Sequence, residues 1–231
     1  TGGDGANTAV GNLAMLANTS GATNTAVGDN ASRLNLTGND NTAVGRTALY
    51  SNQTSRNTAV GLSAGYTTTG ADNTYVGFNA GYGGSGAEAN NVGVGANALL
   101  AITTGTINVA VGFDALSSNT TGGGNTAIGR EAMKSNTTAD YNTAVGVSSL
   151  LSNVTGSQNT AVGQAALKDN LGDNNTAIGT NALENNTEGD GNVALGTSAG
   201  ASLTTGDSNI LIGYLAGDGF DAEDNNIAIG N

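Results

Sequence analysis

The chain has 231 residues, including 38 Gly and no Pro, Cys, His or Trp, and only 10% of it is charged and 4% aromatic. Without His or Cys the commonest general base and the thiol nucleophile are missing, so an enzyme is not expected. A net charge of −12 with only six basic residues leaves no basic stripe to meet phosphates, so nucleic acid is not an expected partner.

The pentapeptide NTAVG stands at 7–11 and returns at 24–28, 41–45, 57–61 and 142–146, with near-copies between. With the motif Asn as offset zero, fourteen copies begin at Asn7, Asn24, Asn41, Asn57, Asn73, Asn91, Asn108, Asn125, Asn142, Asn159, Asn175, Asn192, Asn209 and Asn226, at intervals of 16 to 18 residues. A fixed period of this size marks a solenoid or array. No shift in composition divides it, so 1–231 reads as one repetitive domain, a segment of a longer fibre protein. No run of about 18 apolar residues is present, so membrane insertion by this segment is not expected.

Each copy reads in the same order. Offset one is always β-branched, with nine Thr and then Val92, Val109, Val193, Ile210 and Ile227. Offset two is mostly Ala, with Tyr75, Gly93 and Leu211 as exceptions. Offset three carries Val10, Val27, Val44, Val60, Val76, Val94, Val111, Ile128, Val145, Val162, Ile178, Leu195, Ile212 and Ile229, read as a structural-core column. β-branched residues alternating with small ones predict a strand over offsets one to three. A bend follows at Gly11, Gly28, Gly45, Gly61, Gly77, Gly95, Gly112, Gly129, Gly146, Gly163, Gly179, Gly196, Gly213 and Gly230. Then comes a short apolar segment, Ala at offset seven (Ser149 once) and Leu, Met, Gly or Ser at offset eight, and a polar turn of Asn, Thr, Ser and Gly.

One such unit cannot bury its own apolar face, but stacked copies can, which predicts an all-β, parallel β-solenoid of fourteen coils of about 17 residues. A thin coil takes Asn, Ala and Gly inward, where Asn can bond the backbone and the Asn of the neighbouring coil. Offsets one and three then face outward as a continuous apolar stripe, the signature of an interface. Self-association buries it, so the columns at offsets one, three, seven and eight are expected to build the cores.

The departures from the repeat suggest other chemistry. Asp140, Asp173, Asp190, Asp207 and Asp224 all lie two residues before a motif Asn, and oxygen ligands in a row can hold Ca²⁺. They are weak candidates beside the reading as a solvated acidic turn. The Thr ladder (Thr8, Thr25, Thr42, Thr58, Thr74) could order water as an ice-binding face, although Val and Ile replace Thr in five copies. The sequons at Asn119, Asn136 and Asn153 arise by default in an Asn/Thr-rich repeat. The segments AGYGGSGAEANN at 80–91, in the longest interval, and YLAGDGFDAEDNN at 214–226, with Tyr214 and Phe220, are read as plugs for wider coils before carbohydrate or protein sites.

The stretches NTAVGRTAL at 41–49, NTAIGREAM at 125–133 and NTAVGQAAL at 159–167 resemble the head repeats of trimeric autotransporter adhesins. Similar arrays are found in trimeric phage-tail-fibre shafts. The resemblance covers the whole chain and implies a left-handed parallel β-roll, a homotrimer about a shared axis. It further implies an extracellular place on a cell surface or virion fibre, a rigidifying and adhesive role, and no cofactor. The partners implied are the chain itself and a host, prey or matrix receptor or glycan. These intervals are longer than the typical adhesin repeat, and no neck, stalk or anchor is visible. A monomeric solenoid binding ice or calcium through its ladder is the alternative.

Overall fold

The computed structural model describes residues 5–83 and 86–230. The chain forms two compact units, Thr1–Thr121 and Gly122–Asn231. The first holds β1 (Thr8–Val10), β2 (Thr25–Val27), β3 (Thr42–Val44), β4 (Thr58–Val60), β5 (Thr74–Val76), β6 (Val92–Val94) and β7 (Val109–Val111). The second holds β8 (Thr126–Ile128), β9 (Thr143–Val145), β10 (Thr160–Val162), β11 (Thr176–Ile178), β12 (Val193–Leu195), β13 (Ile210–Ile212) and β14 (Ile227–Ile229). Within each unit every strand pairs in parallel with the next, motif on motif: Thr8 lies against Thr25, and Thr160 against Thr176. Each unit is thus a parallel β-solenoid, and no helix occurs among the described residues.

The strands are three residues long because the Gly at offset four ends them. At Gly146 φ is +142°, and an added Cβ would stand 2.3 Å from the carbonyl oxygen of Gly163 in the next coil. The backbones touch there, and only Gly leaves room.

The second wall differs from a strand. Offsets six and eight both take positive φ in every described coil, as at Leu13 (+55°) and Met15 (+51°). Coil-to-coil bonds still run through it: the Met15 N–H donates to the Ala31 carbonyl at 3.0 Å and the Ala17 N–H to the Arg33 carbonyl at 3.0 Å. This conformation explains the composition of offset eight. β-branched residues strongly disfavour positive φ, and the column contains Leu, Met, Gly and Ser with no Val, Ile or Thr.

The interior is made of small side chains with a long one in most coils. Ala26, Ala43 and Ala127 at offset two, Ala48 and Ala132 at offset seven, and Leu49 and Met133 at offset eight are fully buried. Where offset two is large, offset eight shrinks in the same coil and in the one before it. Tyr75 is flanked by Gly65 and Gly81, where added Cβ atoms would lie 3.2 and 2.5 Å from its ring. Gly93 in the next strand also makes room, with its added Cβ 3.1 Å from the same ring. Leu211 is flanked by Gly200 and Gly217 in the same way, at 2.5 and 2.7 Å.

The offset-three column is not part of this interior and faces outward. Val10, Val27, Val60, Ile128, Ile178, Leu195 and Ile229 are exposed, and Val44, Val76, Val94, Val111, Val145, Val162 and Ile212 are half-buried. Period-two alternation is the cause: with Ala inside, its neighbours on the strand must point out.

Candidate functional site

The outward face of the strands is the most continuous surface feature of each unit. In the second unit it carries Thr126, Thr143, Thr160, Thr176, Val193, Ile210 and Ile227 beside the seven offset-three residues Ile128 to Ile229. Like residues stack in register from strand to strand, and neither column contains a charge. In the first unit Thr dominates offset one and Val fills offset three throughout. Apolar surface arranged this way is characteristic of association sites.

Two asparagine columns are buried; the first joins coil to coil and the second braces the turn within each coil. At offset zero, the Asn159 N–H donates to Asn142 Oδ1 at 2.8 Å, and Asn142 Nδ2 donates to the Gly156 carbonyl at 2.9 Å. The same pair of bonds recurs from Asn7 and Asn24 onward, as the inward Asn reading expected. The second column, at offset eleven, was read only as turn sequence. Asn35, Asn52, Asn153, Asn170 and Asn186 are fully buried, and Asn153 Nδ2 donates to the Gly156 carbonyl at 2.8 Å. The signal was the constant distance of these Asn from the motif, masked by the polar residues around them. Asn119, Asn136 and Asn153 of the sequons all belong to this column and are 0% exposed, so the folded coil offers no amide to a glycan.

The aspartates at offset minus two also serve the coil stack. Asp190 Oδ1 accepts the Asp173 N–H at 2.6 Å, Asp207 Oδ1 accepts the Asp190 N–H at 2.8 Å, and Asp224 Oδ1 accepts the Asp207 N–H at 2.8 Å. Asp140 Oδ1 accepts the Gly123 N–H at 2.6 Å, and the Asp140 N–H donates to Ser157 Oγ at 3.1 Å. One carboxylate oxygen of each therefore replaces a strand partner for the preceding coil. Among the described residues, no three acidic, His or Cys side chains come together as a metal site.

The segment at 80–91 contains Glu88, fully buried in a column otherwise rich in Gly; Gly84 and Ser85 lie outside the described residues. Glu88 Oε1 accepts the Thr69 N–H at 3.0 Å. Burial pushes its carboxyl up to about 7, against the opposing effect of its backbone hydrogen bonds. The Tyr75 hydroxyl is raised by burial and, secondarily, by the charge on Glu88. Between the ordinary value of 4.5 and about 7 the folded chain keeps a proton that the unfolded chain has lost, so stability falls as pH rises through that window. Glu88→Gln is expected to remove this slope, gaining on the order of 2 kcal/mol over the parent at pH 8 and little at pH 4. Thermal melts of both chains at the two pH values check it; an equal gain at both would disprove the buried, protonated state.

At 214–226, Tyr214 is 59% exposed and Phe220 is half-buried at offset eleven. Glu223 accepts the Asp221 N–H at 2.6 Å and the Ala222 N–H at 3.1 Å, which lowers its carboxyl. A row of tyrosines at offset nine escaped sequence reading altogether: Tyr50, Tyr66 and Tyr82 stack with ring centroids 5.0 Å apart. The 16-residue intervals between these coils are the only signal that aligns them.

No protein-family model, no curated protein and no solved structure matches this chain. The fold defines its class: a β-solenoid repeat protein with two regular walls. No helix among the described residues is long and apolar enough to cross a membrane.

Proposed function

We propose that this chain is a structural and adhesive segment of an extracellular trimeric fibre, of the adhesin-head or tail-fibre-shaft kind. Three copies meet through the strand faces, with offsets one and three forming a shared core. The assembly projects and rigidifies a binding tip, and its outer turns meet a receptor or glycan. The left-handed roll belongs to this reading. The observation that supports it is the in-register, uncharged, half-exposed face repeated through each unit. Residues on a fixed pitch meet their own symmetry mates when copies associate about an axis along the stack, so one repeated column builds a continuous contact.

Light scattering on a size-exclusion column tests it. A mass near three times the 22.4 kDa of one chain supports the fibre. A single-chain mass leaves the face wet, rejects the fibre and moves attention to ice and calcium. Val145→Asp is a sharper probe, because it places a charge beside its own mates in the shared core. It is expected to abolish assembly, lowering the measured mass to one chain. A variant that assembles and melts like the parent would show that this face is not the contact.

A further inference from the structure

Offset nine aligns Arg33, Tyr50, Tyr66 and Tyr82 in four successive coils of the first unit. The Tyr50 and Tyr66 rings lie 5.0 Å apart with planes 8° from parallel, and Tyr66 and Tyr82 lie 5.0 Å apart at 10°. Tyr50 and Tyr66 are half-buried, while Tyr82 at the end of the row is 39% exposed. The Arg33 guanidinium carbon is 5.9 Å from the Tyr50 ring centroid, and Arg33 Nη1 donates to the Tyr50 hydroxyl at 3.4 Å. The row stands on the second wall, apart from the strand face, so assembly through that face leaves it open to small oxidants.

We propose that Tyr66 and Tyr82 are a site of covalent modification, joined as dityrosine when the protein meets a peroxide-driven one-electron oxidant. Each phenol gives one electron to the oxidant and its hydroxyl proton to water. The two neutral phenoxyl radicals carry spin on the ring carbons beside the oxygen. A Cε–Cε bond forms between them, both rings then lose the hydrogen at the bonded carbon, and both hydroxyls are restored. One hydrogen peroxide is reduced to two waters in the process. Stacking keeps the two radicals together. Tyr82, at the exposed end, has the freedom to swing from a face contact to an edge contact for coupling.

Arg33 selects the pair. A cation over the Tyr50 face and a hydrogen bond donated to its oxygen both disfavour removing an electron from that ring. Oxidation therefore settles on Tyr66 and Tyr82. Tyr141 and Tyr214 are more exposed, at 70% and 59%, but have no stacked ring among the described residues, and so serve as internal controls.

The full chain, treated with a haem peroxidase and hydrogen peroxide at low concentration, is digested and its cross-linked peptides identified by mass. The expected main product joins Tyr66 to Tyr82 within one chain, two hydrogens lighter than the separate peptides. Tyr82→Phe, which keeps the ring and its packing, is expected to abolish that product with an unchanged circular-dichroism spectrum. Arg33→Gln is expected to raise the Tyr50–Tyr66 product several-fold. A main product through Tyr141 or Tyr214, or no dityrosine while those two tyrosines oxidise singly, would overturn the proposal. An unchanged product ratio in Arg33→Gln would overturn the selecting role of Arg33.

Discussion

Gly146→Ala is expected to destabilise the chain by about 4 kcal/mol or more, enough to unfold its region of the second unit. Two effects combine. The backbone at Gly146 has φ of +142°, which side-chain-bearing residues hold only at a cost of about 1–3 kcal/mol. The new methyl would also lie 2.3 Å from the oxygen and 2.6 Å from the carbonyl carbon of Gly163. That carbonyl cannot retreat cheaply, because the Gly163 N–H is bonded to the Val145 carbonyl at 2.8 Å and the same contact repeats at Gly163 against Gly179. Gly191→Ala is the control. Its φ is +67° and its nearest neighbour to an added Cβ is Ser208 Oγ at 3.7 Å, so strain acts alone, at about 1–2 kcal/mol. Urea denaturation of the two variants separates the effects. Equal losses would mean that the coils do not approach as closely as the structure places them.

The second large effect is expected at the inner ladder. Asn142 is fully buried; its Oδ1 accepts the Asn159 N–H and its Nδ2 donates to the Gly156 carbonyl. Asn142→Asp keeps the acceptor but turns a carboxylate oxygen toward that carbonyl, burying an unpaired charge. The expected loss is about 3–5 kcal/mol at pH 8. Asn142→Ala, which leaves the Asn159 N–H without its acceptor, is expected to lose less, about 1–3 kcal/mol. Acid should partly rescue Asp and not Ala, since a protonated carboxyl regains a donor. The folded pKa of the new group is raised, so its penalty shrinks as pH falls toward the unfolded value. Melting temperatures of the three chains from pH 4 to pH 8 provide the check. An Asp variant as stable as the parent at pH 8 would refute the assigned direction of the amide.

Much of the wall that carries the candidate face was legible in the sequence. Alternation at offsets one to three gave the strand, and the thinness of a 17-residue coil gave the inward Ala and Asn. The second wall was not legible, because positive φ at Leu13, Met15 and their equivalents is dictated by tertiary stacking against residues that otherwise favour ordinary conformations. Only the absence of β-branched residues at offset eight hinted at it. Tyr75 and Leu211 looked like isolated exceptions until the structure set each beside two glycines, one in its own coil and one in the coil before. The Tyr50–Tyr66–Tyr82 row was hidden for the opposite reason: the residues lie in three separate turns, and each alone resembles a scattered surface aromatic. The use of the outward face was not legible, since columns of Thr and Val suit a wet ladder as well as a buried one.

The direction of the asparagine ladder bears on how such a chain can change. Asn142 accepts from the motif Asn of the following coil and donates to the Gly156 carbonyl three residues ahead of that Asn, and Asn24 does likewise with Asn41 and Gly38. No coil needs to know which particular coil follows it, only that another Asn arrives at the right distance. Copying or excising one whole period in the gene therefore leaves every surviving bond with an equivalent partner, and the 16- and 18-residue intervals show that a residue lost or gained outside the strands leaves them in step. Length becomes a property that recombination can adjust in coil-sized increments, like notches on a ruler, with the surface chemistry carried on each notch free to drift on its own.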